Sequence, residues 1–486
     1  MQTIENKLER ISNLRKKMLV TVKMSKSAVL SVAAIAIFSY NEAKAQFTLT
    51  GQIKPRTEFR DGFGTLQQKG QEAALHVSQR TRLNVGYTGY RFKTFMALQD
   101  VRVWGQDRSS LNRTTTDPFA GLKMHEAWGE VILNDTISKI KNLSLKIGRQ
   151  EIAYDDQKVL GSLDWLQQAR SHDAIVLKYA NKSWIADFGV AFNQNAEKPV
   201  GTIYDGVPAA GTYPAGSNAI GTMYKSFQYA YIAKKLYFGD VSFLFFKDDF
   251  NKYTSTGAGA TLVKTPVEGV WSRNTTGIFY NVNPTRKINF TGSYYYQAGK
   301  DKDGRELSAH LASATGTYQA SRKLFVGAGL DFLSGTDGTK TATATSTINQ
   351  FDPLYGTPHK FWGYMDYFYV ANGFGRQGLM NYFLKAKYNA TDKLQLFADL
   401  HRFDAANKVA MTGGGTQDKN LGTELDLKLS YNFTKLINIE AGYSYMKATK
   451  TMASAQVKNV TNANLTPQWA YVTLLIKPDF LSTKKQ

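Results

Sequence analysis

The sequence predicts an all-β protein, a transmembrane antiparallel β-barrel of about 18 strands with short periplasmic turns and long extracellular loops. Three observations predict this fold class. Apolar and polar residues alternate with a period of two in many segments, the connections alternate between short and long, and an export signal precedes the first alternating segment. A barrel strand has this pattern because one face meets lipid and the other meets an aqueous lumen. We therefore expect a signal peptide over residues 1–45 and a single barrel domain over residues 46–486.

The export signal begins at Met24, which we consider an alternative start of the chain. Lys26 supplies a positive charge, residues 28–38 form a short apolar run, and the triplet AKA ends at Ala45. This is the pattern of a secretory signal, and the run is shorter than the ~20 residues of a membrane helix. A buried helix is the other interpretation of these residues. Residues 1–45 hold 8 basic and 3 acidic residues, so 52 basic and 36 acidic residues remain after cleavage and the net charge is +16.

The first segment after the signal shows the alternation clearly. One face carries the less polar residues Phe47, Leu49, Gly51, Ile53, Pro55, Thr57 and Phe59. The other face carries the polar residues Thr48, Thr50, Gln52, Lys54, Arg56, Glu58 and Arg60. Later segments repeat the pattern over residues 75–89, 143–150, 184–192, 421–433 and 469–476. Each of these segments is predicted to be a strand with one apolar face.

The connections between the segments fall into two classes. Short, turn-like connections rich in Asn, Asp, Lys and Gly lie near residues 89–90, 134–142, 181–183, 234–240, 281–287, 319–323, 389–393 and 432–436. Longer loops lie near residues 61–73, 105–123, 152–171, 194–223, 251–269, 299–306, 335–378, 405–420 and 449–467. Seventeen connections give eighteen strands, and an even number puts both termini on the same side of the membrane.

The polar face separates a membrane barrel from a soluble β-sandwich, which shows the same alternation. Charged residues cluster on adjacent segments, as in Lys54, Arg56 and Arg60 followed by Arg80 and Arg82. Aromatic residues collect at segment ends, as in residues 294–296 and 362–369. Clustered lumen charges and aromatic girdles are features of outer-membrane barrels, so the predicted location is the outer membrane of a diderm bacterium.

Composition limits the possible functions. The chain has no cysteine, a net charge of +21 and a pI near 9.6, which favours polyanionic partners. Nucleic acid is excluded as a partner by the export signal. Ser171, His172 and Asp173 are adjacent, but neighbours along a strand point to opposite faces, so no catalytic set is predicted there. The six histidines show no metal-ligand spacing. We therefore expect no enzyme activity, no metal and no cofactor.

Several blocks resemble the alginate export family of outer-membrane barrels. They are SQRTRLNVGY (78–87), FMALQDVRVWG (95–105), MHEAWGEV (124–131), KIGRQEIAYDDQKVLGSLDWLQQARSHDA (146–174) and FDPLYGTPHKFWGYMDYF (351–368). The LYGT and GYMD spellings in the last of these blocks and the YDDQ spelling in the fourth are similar to the variant common in Bacteroidetes. The resemblance implies an eighteen-stranded barrel with an electropositive, anion-selective pore that loops and charged side chains constrict.

The candidate pore-lining residues are charged residues in or near these blocks. They are Lys54, Arg56, Arg80, Arg82, Asp100, Arg102, Glu126, Arg149, Asp155, Asp156, Asp164, Arg170 and Arg402. Arg82, Arg102, Arg149 and Arg170 carry the most weight, because they lie in the blocks that resemble the family, and an arginine presents a planar fork to a carboxylate. The alternative role for each is a structural ion pair. Asp100 and Arg102 do not fit the alternation of Phe92, Met96 and Leu98, which predicts a bulge or another register in that strand.

The predicted function is an outer-membrane channel for anionic solutes, with an acidic polysaccharide such as alginate or its oligomers as substrate. A general porin for small anions is the alternative, and a barrel enzyme is a weaker one. Outer-membrane lipid and periplasmic secretion or uptake partners are also expected. The loops at 152–171, 194–223 and 351–368 are candidates for segments that fold into the lumen, and display on the cell surface is the alternative for 194–223 and 351–368. If the 152–171 loop narrows the pore, neutralising Arg149 and Arg170 is predicted to reduce anion selectivity; otherwise the segment is barrel scaffolding.

Overall fold

The computed structural model describes residues 46–106, 121–134, 142–194, 197, 199–202, 204, 224–257, 263–341, 346–369 and 375–483. The predicted signal peptide and most of the 194–223 loop lie outside these residues. Their roles therefore stay predictions. Among the described residues, no helix combines the length and hydrophobicity needed to cross a membrane.

The described chain consists almost entirely of antiparallel strands. Their bounds are β1 Gln46–Asp61, β2 Ala74–Thr88, β3 Phe92–Val103, β4 Lys123–Ile132, β5 Asn142–Gln150, β6 His172–Ala180, β7 Trp184–Phe192, β8 Ser226–Leu236, β9 Gly239–Thr256, β10 Val263–Thr285, β11 Ile288–Lys300, β12 Glu306–Gln319, β13 Leu324–Leu333, β14 Leu379–Asn389, β15 Leu394–Asp404, β16 Val409–Ala410, β17 Thr416–Gln417, β18 Asn420–Asn432, β19 Ile437–Ala448, β20 Gln468–Ile476 and β21 Asp479–Ser482. One 3-10 turn, Pro358–Lys360, and one short helix, α1 Lys450–Ala453, lie in loops.

Eighteen of these strands close into a barrel, which confirms the predicted fold class. Strand β1 pairs with β2 on one side and with β20 on the other, from Ile53 opposite Ile476 to Asp61 opposite Gln468. The short strand β21 continues the last edge along the beginning of β1. Strands β16 and β17 form a separate two-residue hairpin within one loop. Because the first and last strands meet, the sheet has no free edge.

The short and long connections alternate as predicted, with one correction. The loop predicted at 251–269 is largely strand, because β9 and β10 extend their pairing to Thr256 opposite Val263. A register shift between Pro266 and Val270 allows this hairpin to continue. Proline lacks a ladder donor, which fits its position beside an irregularity.

The two faces of the barrel differ sharply. Large apolar side chains such as Ile147, Phe188 and Leu384 are exposed on the outer face. The hydrophobic core lies inside the barrel, where Trp362, Phe351 and Tyr367 pack against inward side chains such as Trp469. The core is therefore built from loop segments that fold into the lumen, and not from a second layer of secondary structure.

Candidate functional site

A group of basic side chains occupies the inner face of β1 and β2. Lys54 and Arg80 are directly opposite each other in the register, and Arg82 is opposite Gln52. Lys54, Arg56 and Arg80 are only 8%, 3% and 0% exposed. Like charges opposite each other in a sheet repel, so this group needs compensating groups from elsewhere in the chain.

The compensation comes from residues 151–171, which we name the first inward loop. The Asp164 carboxylate lies 2.8 Å from Arg80 Nη1 and 3.6 Å from Arg82 Nη1. Lys54 Nζ donates to the Asp164 carbonyl at 3.0 Å, and Arg56 Nη1 donates to the Trp165 carbonyl at 2.9 Å. Burial alone would raise the pKa of Asp164, but the charges of Arg80 and Lys54 hold it below its ordinary value. The basic group thus anchors one end of the loop.

The other part of the first inward loop reaches distant strands. Lys158 Nζ donates to Asp331 Oδ1 on β13 at 2.8 Å and to Ser313 Oγ on β12 at 2.6 Å. Tyr154 donates to Asp187 on β7 at 2.7 Å. The loop therefore contacts strands far apart around the barrel, and it crosses the lumen, as predicted.

Residues 346–369 form the second inward loop. Asp352 pairs with Arg273, which also holds Asp248 in a bidentate pair on the inner wall. Farther along, Met365 donates its N–H to Glu424 Oε1 at 2.8 Å. At Gly363, φ is +82° and an added Cβ would lie 2.6 Å from Glu424 Oε1, so only glycine fits this close approach. The 351–368 segment therefore folds into the lumen, as predicted.

The two inward loops contact each other. Leu160 and Tyr355 form a parallel bridge, with Gly161 N donating to the Tyr355 carbonyl at 2.9 Å. Arg170 Nη1 donates to the Gly356 carbonyl at 2.8 Å. The rings of Trp165 and His359 stack with centroids 4.1 Å apart. The loops thus form one connected septum across the lumen.

The backbone of these loops is locally strained. Positive φ angles at non-glycine residues occur, within the described chain, only in three loops. They are found at Asp155, Gln157, Leu163, Ala169, Leu354, Asp366, Tyr369, Asn459 and Asn462. Such conformations cost about 1–3 kcal/mol each and persist only where surrounding contacts impose them. Seven of the nine lie in the two inward loops, which indicates that these loops hold one defined arrangement.

Four predicted pore-lining residues do not face the lumen. Register and exposure put Asp100, Arg102, Arg149 and Arg402 on the outer face of the barrel. Arg149 pairs with Asp173 across β5 and β6, and these side chains are 44% and 50% exposed. Arg102 pairs with Asp100 two residues away, and Arg402 pairs with Asp404.

The physical reason for these four corrections is the period of the strand. Alternate residues of a strand point to the same face of the sheet. Arg149 and the outward Ile147 are alternate residues of β5, and Arg102 is on the same face of β3 as the outward Met96. The predicted irregularity in this region is present as a register shift between β3 and β4 at Ala97 and Leu98. The shift does not turn Arg102 inward. We therefore expect neutralisation of Arg149 to leave ion selectivity unchanged, contrary to the sequence-based prediction.

The remaining predicted residues lie inside. Glu126 is on the inner face of β4, where its Oε2 accepts hydrogen bonds from Trp128 Nε1 at 3.1 Å and from the Glu151 N–H at 3.2 Å. Asp155, Asp156 and Arg170 are in the first inward loop. Burial lowers the pKa of Arg170 to about 10, so it stays charged at neutral pH.

Sequence reasoning missed several inward residues that hold the loops. They are Glu58, Lys158, Asp248, Arg273, Asp331, Glu424 and Asp426. For the residues that lie in strands, the alternation along the strand was a signal that could have found them, since Glu424 and Asp426 alternate with outward-facing leucines. Lys158 had no such signal, because it lies in an irregular loop.

Two clusters of polar residues are relevant to the predictions that the protein has no enzyme activity and binds no metal. His172 is buried with its Nδ1 2.8 Å from the Tyr224 hydroxyl, whereas Asp173 points outward to Arg149. His125 Nε2 lies 3.0 Å from Glu151 Oε1, and with Glu126 these residues bring three potential metal-ligand atoms within 4.8 Å of one another. Glu151 is 26 residues from His125, so sequence spacing did not reveal this group.

The charge of Asp155 is expected to depend on pH near neutrality. Burial raises the pKa of this carboxyl to about 6, although Ser242 and Tyr231 each donate a hydrogen bond of 2.8 Å to it. Asp155 borders a cavity of about 420 Å³ that also touches Lys234 and Asp240 beside a short turn. Below pH 6 the carboxyl is neutral, and above pH 6 it is charged.

We predict that anion preference increases as pH falls through about 6, because one negative charge leaves this cavity. Reversal potentials across a salt gradient at pH 7.5 and pH 5 measure the effect. The Asp155→Asn variant should lose the pH-dependent step near 6. An equal step in that variant would assign the pH dependence to another group.

Comparisons with known proteins agree with the fold. The family model named Alginate export matches residues 45–466. A comparison with curated proteins found no match.

Solved porin structures share the fold. OccAB4 of Acinetobacter baumannii superposes with a TM-score of 0.58 at 11% identity, over 91% of this chain and 100% of that chain. OpdQ of Pseudomonas aeruginosa gives 0.53 at 13% identity, over 90% and 98%. Pseudomonas aeruginosa OccK2 (OpdF), solved in complex with glucuronate, gives 0.54 at 11% identity, over 90% and 97%.

The match to the family model spans most of the chain, and the solved structures show a closed outer-membrane porin barrel. The chain therefore belongs to the alginate export family and forms an outer-membrane channel.

Proposed function

We propose that this channel passes anionic solutes, with uronates and their oligomers, such as alginate fragments, as the preferred class. One observation carries the proposal. Arg80 and Arg82 already hold a carboxylate, that of Asp164, at 2.8 and 3.6 Å within the lumen. A carboxylate on a sugar presents the same two oxygens to the same guanidinium groups.

The state of the arginine donors also supports the proposal. Asp164 is 52% exposed to the lumen, although its partner Arg80 is fully buried. Among the described residues, Arg80 Nη2 and Arg82 Nη2 have no hydrogen-bond partner, and both atoms are buried. A solute carboxylate therefore reaches these arginines only when it displaces Asp164, and it leaves when Asp164 returns. Such exchange keeps binding weak enough for transport, as conduction requires.

Three buried basic residues, Lys54, Arg56 and Arg80, lie side by side on one wall. The basic residues of β1 and β2 contact the first inward loop, whereas the buried carboxylates Asp248 and Asp331 elsewhere on the inner face are paired with Arg273 and Lys158. An anion that passes the septum therefore meets its strongest attraction beside β1 and β2. The family name and the glucuronate complex of OccK2 are consistent with this solute class.

Planar-bilayer recording of the purified protein tests the proposal. We expect a reversal potential that shows anion preference in a salt gradient. We also expect a longer uronate oligomer to block the current at lower concentration than glucuronate does, because several carboxylates engage several sites. Anion preference without block by either uronate would support the alternative, a general porin for small anions. Cation preference would contradict both functions.

A further inference from the structure

The outer face of the barrel carries a second kind of arginine site. On three strands an arginine immediately follows the apolar belt at the end nearer the long loops. These are Arg102 after Leu98 on β3, Arg149 after Ile147 on β5 and Arg402 after Leu400 on β15. Each arginine forms an ion pair with an aspartate on the same face.

The position of these pairs places them at the level of the lipid headgroups. Long loops face the cell exterior in this fold, so the pairs mark the boundary of the outer leaflet. A charge costs about 2–4 kcal/mol at the midplane of a barrel wall and little near the interface. Arginine at this depth therefore fits a headgroup environment, and it attracts anionic lipid.

The Arg149 position is distinguished by a groove of about 650 Å³ on the outer surface. Its upper part is polar and includes Arg149, Asp173 and Tyr204. Its lower part is apolar and includes Ile147, Ile175 and Val190, of which Ile147 and Ile175 are 50% and 39% exposed, whereas Phe192 lies beside the polar part at the level of Asp173. A polar rim above an apolar floor fits one molecule with an anionic head and an acyl chain.

Neighbouring groups hold the guanidinium of Arg149 in one orientation and use only part of its N–H donors. Its Nε and Nη2 donate to Asp173 at 2.8 and 2.7 Å, and its Nη1 donates to the Met124 carbonyl at 3.3 Å. A guanidinium has five N–H donors, so two remain. Asp173 fixes the plane of the group, and the remaining donors can meet phosphate oxygens without loss of the ion pair.

We propose that this groove binds a phosphorylated glycolipid of the outer leaflet, with a phosphate on Arg149 and an acyl chain along Ile147, Ile175 and Val190. The proposal depends on the outer-membrane location but not on the solute that the channel carries. It also gives a role to an arginine that does not line the pore.

Binding of purified lipid A to the detergent-solubilised protein, measured by native mass spectrometry, tests this proposal. Arg149→Gln should bind lipid A about tenfold more weakly, the effect expected for loss of one charged hydrogen-bonding group. Arg402→Gln is the matched control, because Arg402 has a similar exposed pair and no part in this groove; it should bind within about twofold of wild type. Heat-modifiable gel mobility confirms that both variants fold.

Two further measurements distinguish the source of the phosphate. Lipid A without its phosphates should bind wild type as weakly as intact lipid A binds Arg149→Gln. Millimolar inorganic phosphate should not displace lipid A if the acyl floor contributes. Equal binding of lipid A by wild type and a folded Arg149→Gln variant, or an equal loss in Arg402→Gln, would overturn the proposal. Displacement by inorganic phosphate would instead show a simple anion site.

Discussion

Replacing Lys158 with methionine should raise the single-channel conductance several-fold, because this substitution releases the first inward loop from the far wall. Lys158 is 3% exposed, and its ammonium group pairs with the equally buried Asp331 and contacts Ser313. Removing one member of a buried ion pair typically costs about 3–5 kcal/mol. The loop is the part that can move, since Asp331 belongs to the barrel wall.

Single-channel recording measures the conductance and the current noise of the open state. Lys182→Met is the matched control, because Lys182 lies exposed in a short turn and, within the described part of the chain, makes no contact with either inward loop. The pair Lys158→Met with Asp331→Asn separates two causes. If loss of the tether is the cause, this double variant stays open; if the unpaired charge of Asp331 is the cause, it returns to the wild-type conductance. Wild-type conductance in a folded Lys158→Met variant would contradict the tether role.

Neutralising Arg80 and Arg82 together should shift the permeability ratio of the channel toward cations. Both side chains face inward at the point where the first inward loop meets the wall, and both contact the Asp164 carboxylate. Their removal leaves Asp164 less compensated, so the local field becomes less positive. Interactions between charges in such a site are stronger than in bulk water because the surroundings exclude part of the solvent.

The permeability ratio from reversal potentials measures this shift. Arg402→Gln is the control for loss of an arginine on the outer face, and it should keep the wild-type ratio. Asp164→Asn should move the ratio in the opposite direction, toward anions, and should increase block by uronates, because the competing carboxylate is gone. If the Arg80→Gln and Arg82→Gln double variant keeps the wild-type ratio, the basic group serves only to hold the loop.

A comparison of Arg80 with Arg149 shows how well the sequence predicts which side chains face the lumen. Both are arginines in blocks that resemble the family, and both were expected in the lumen. The alternation already separates them, because Arg80 alternates with outward Gln79 and Thr81 while Arg149 shares the parity of Leu145 and Ile147. The prediction that Arg149 lines the lumen was wrong because it relied on the resemblance of the block to the family and not on the alternation of residues along the strand.

The contacts of the inward loops were beyond sequence reasoning for another reason. Asp164 meets Arg80 across 84 positions, and Lys158 meets Asp331 across 173 positions. No local period relates such residues, because an irregular loop has neither the helical nor the strand repeat. Its path is decided by which wall groups can satisfy its carbonyls and charges.

Patterns in the sequence correctly predicted the number of strands, the two faces of the barrel and the alternation of short and long connections, and the export signal stays a prediction. These follow from local repeats, since lipid on one face and water on the other impose a period of two on every strand. The tertiary structure was needed to show that residues 151–171 and 346–369 contact each other inside the lumen. It also shows that Arg80 pairs with Asp164 inside the barrel, whereas Arg149 lies on the outer face. Closure of the barrel brings distant strands around one space, and the charges that share this space then select their partners by distance.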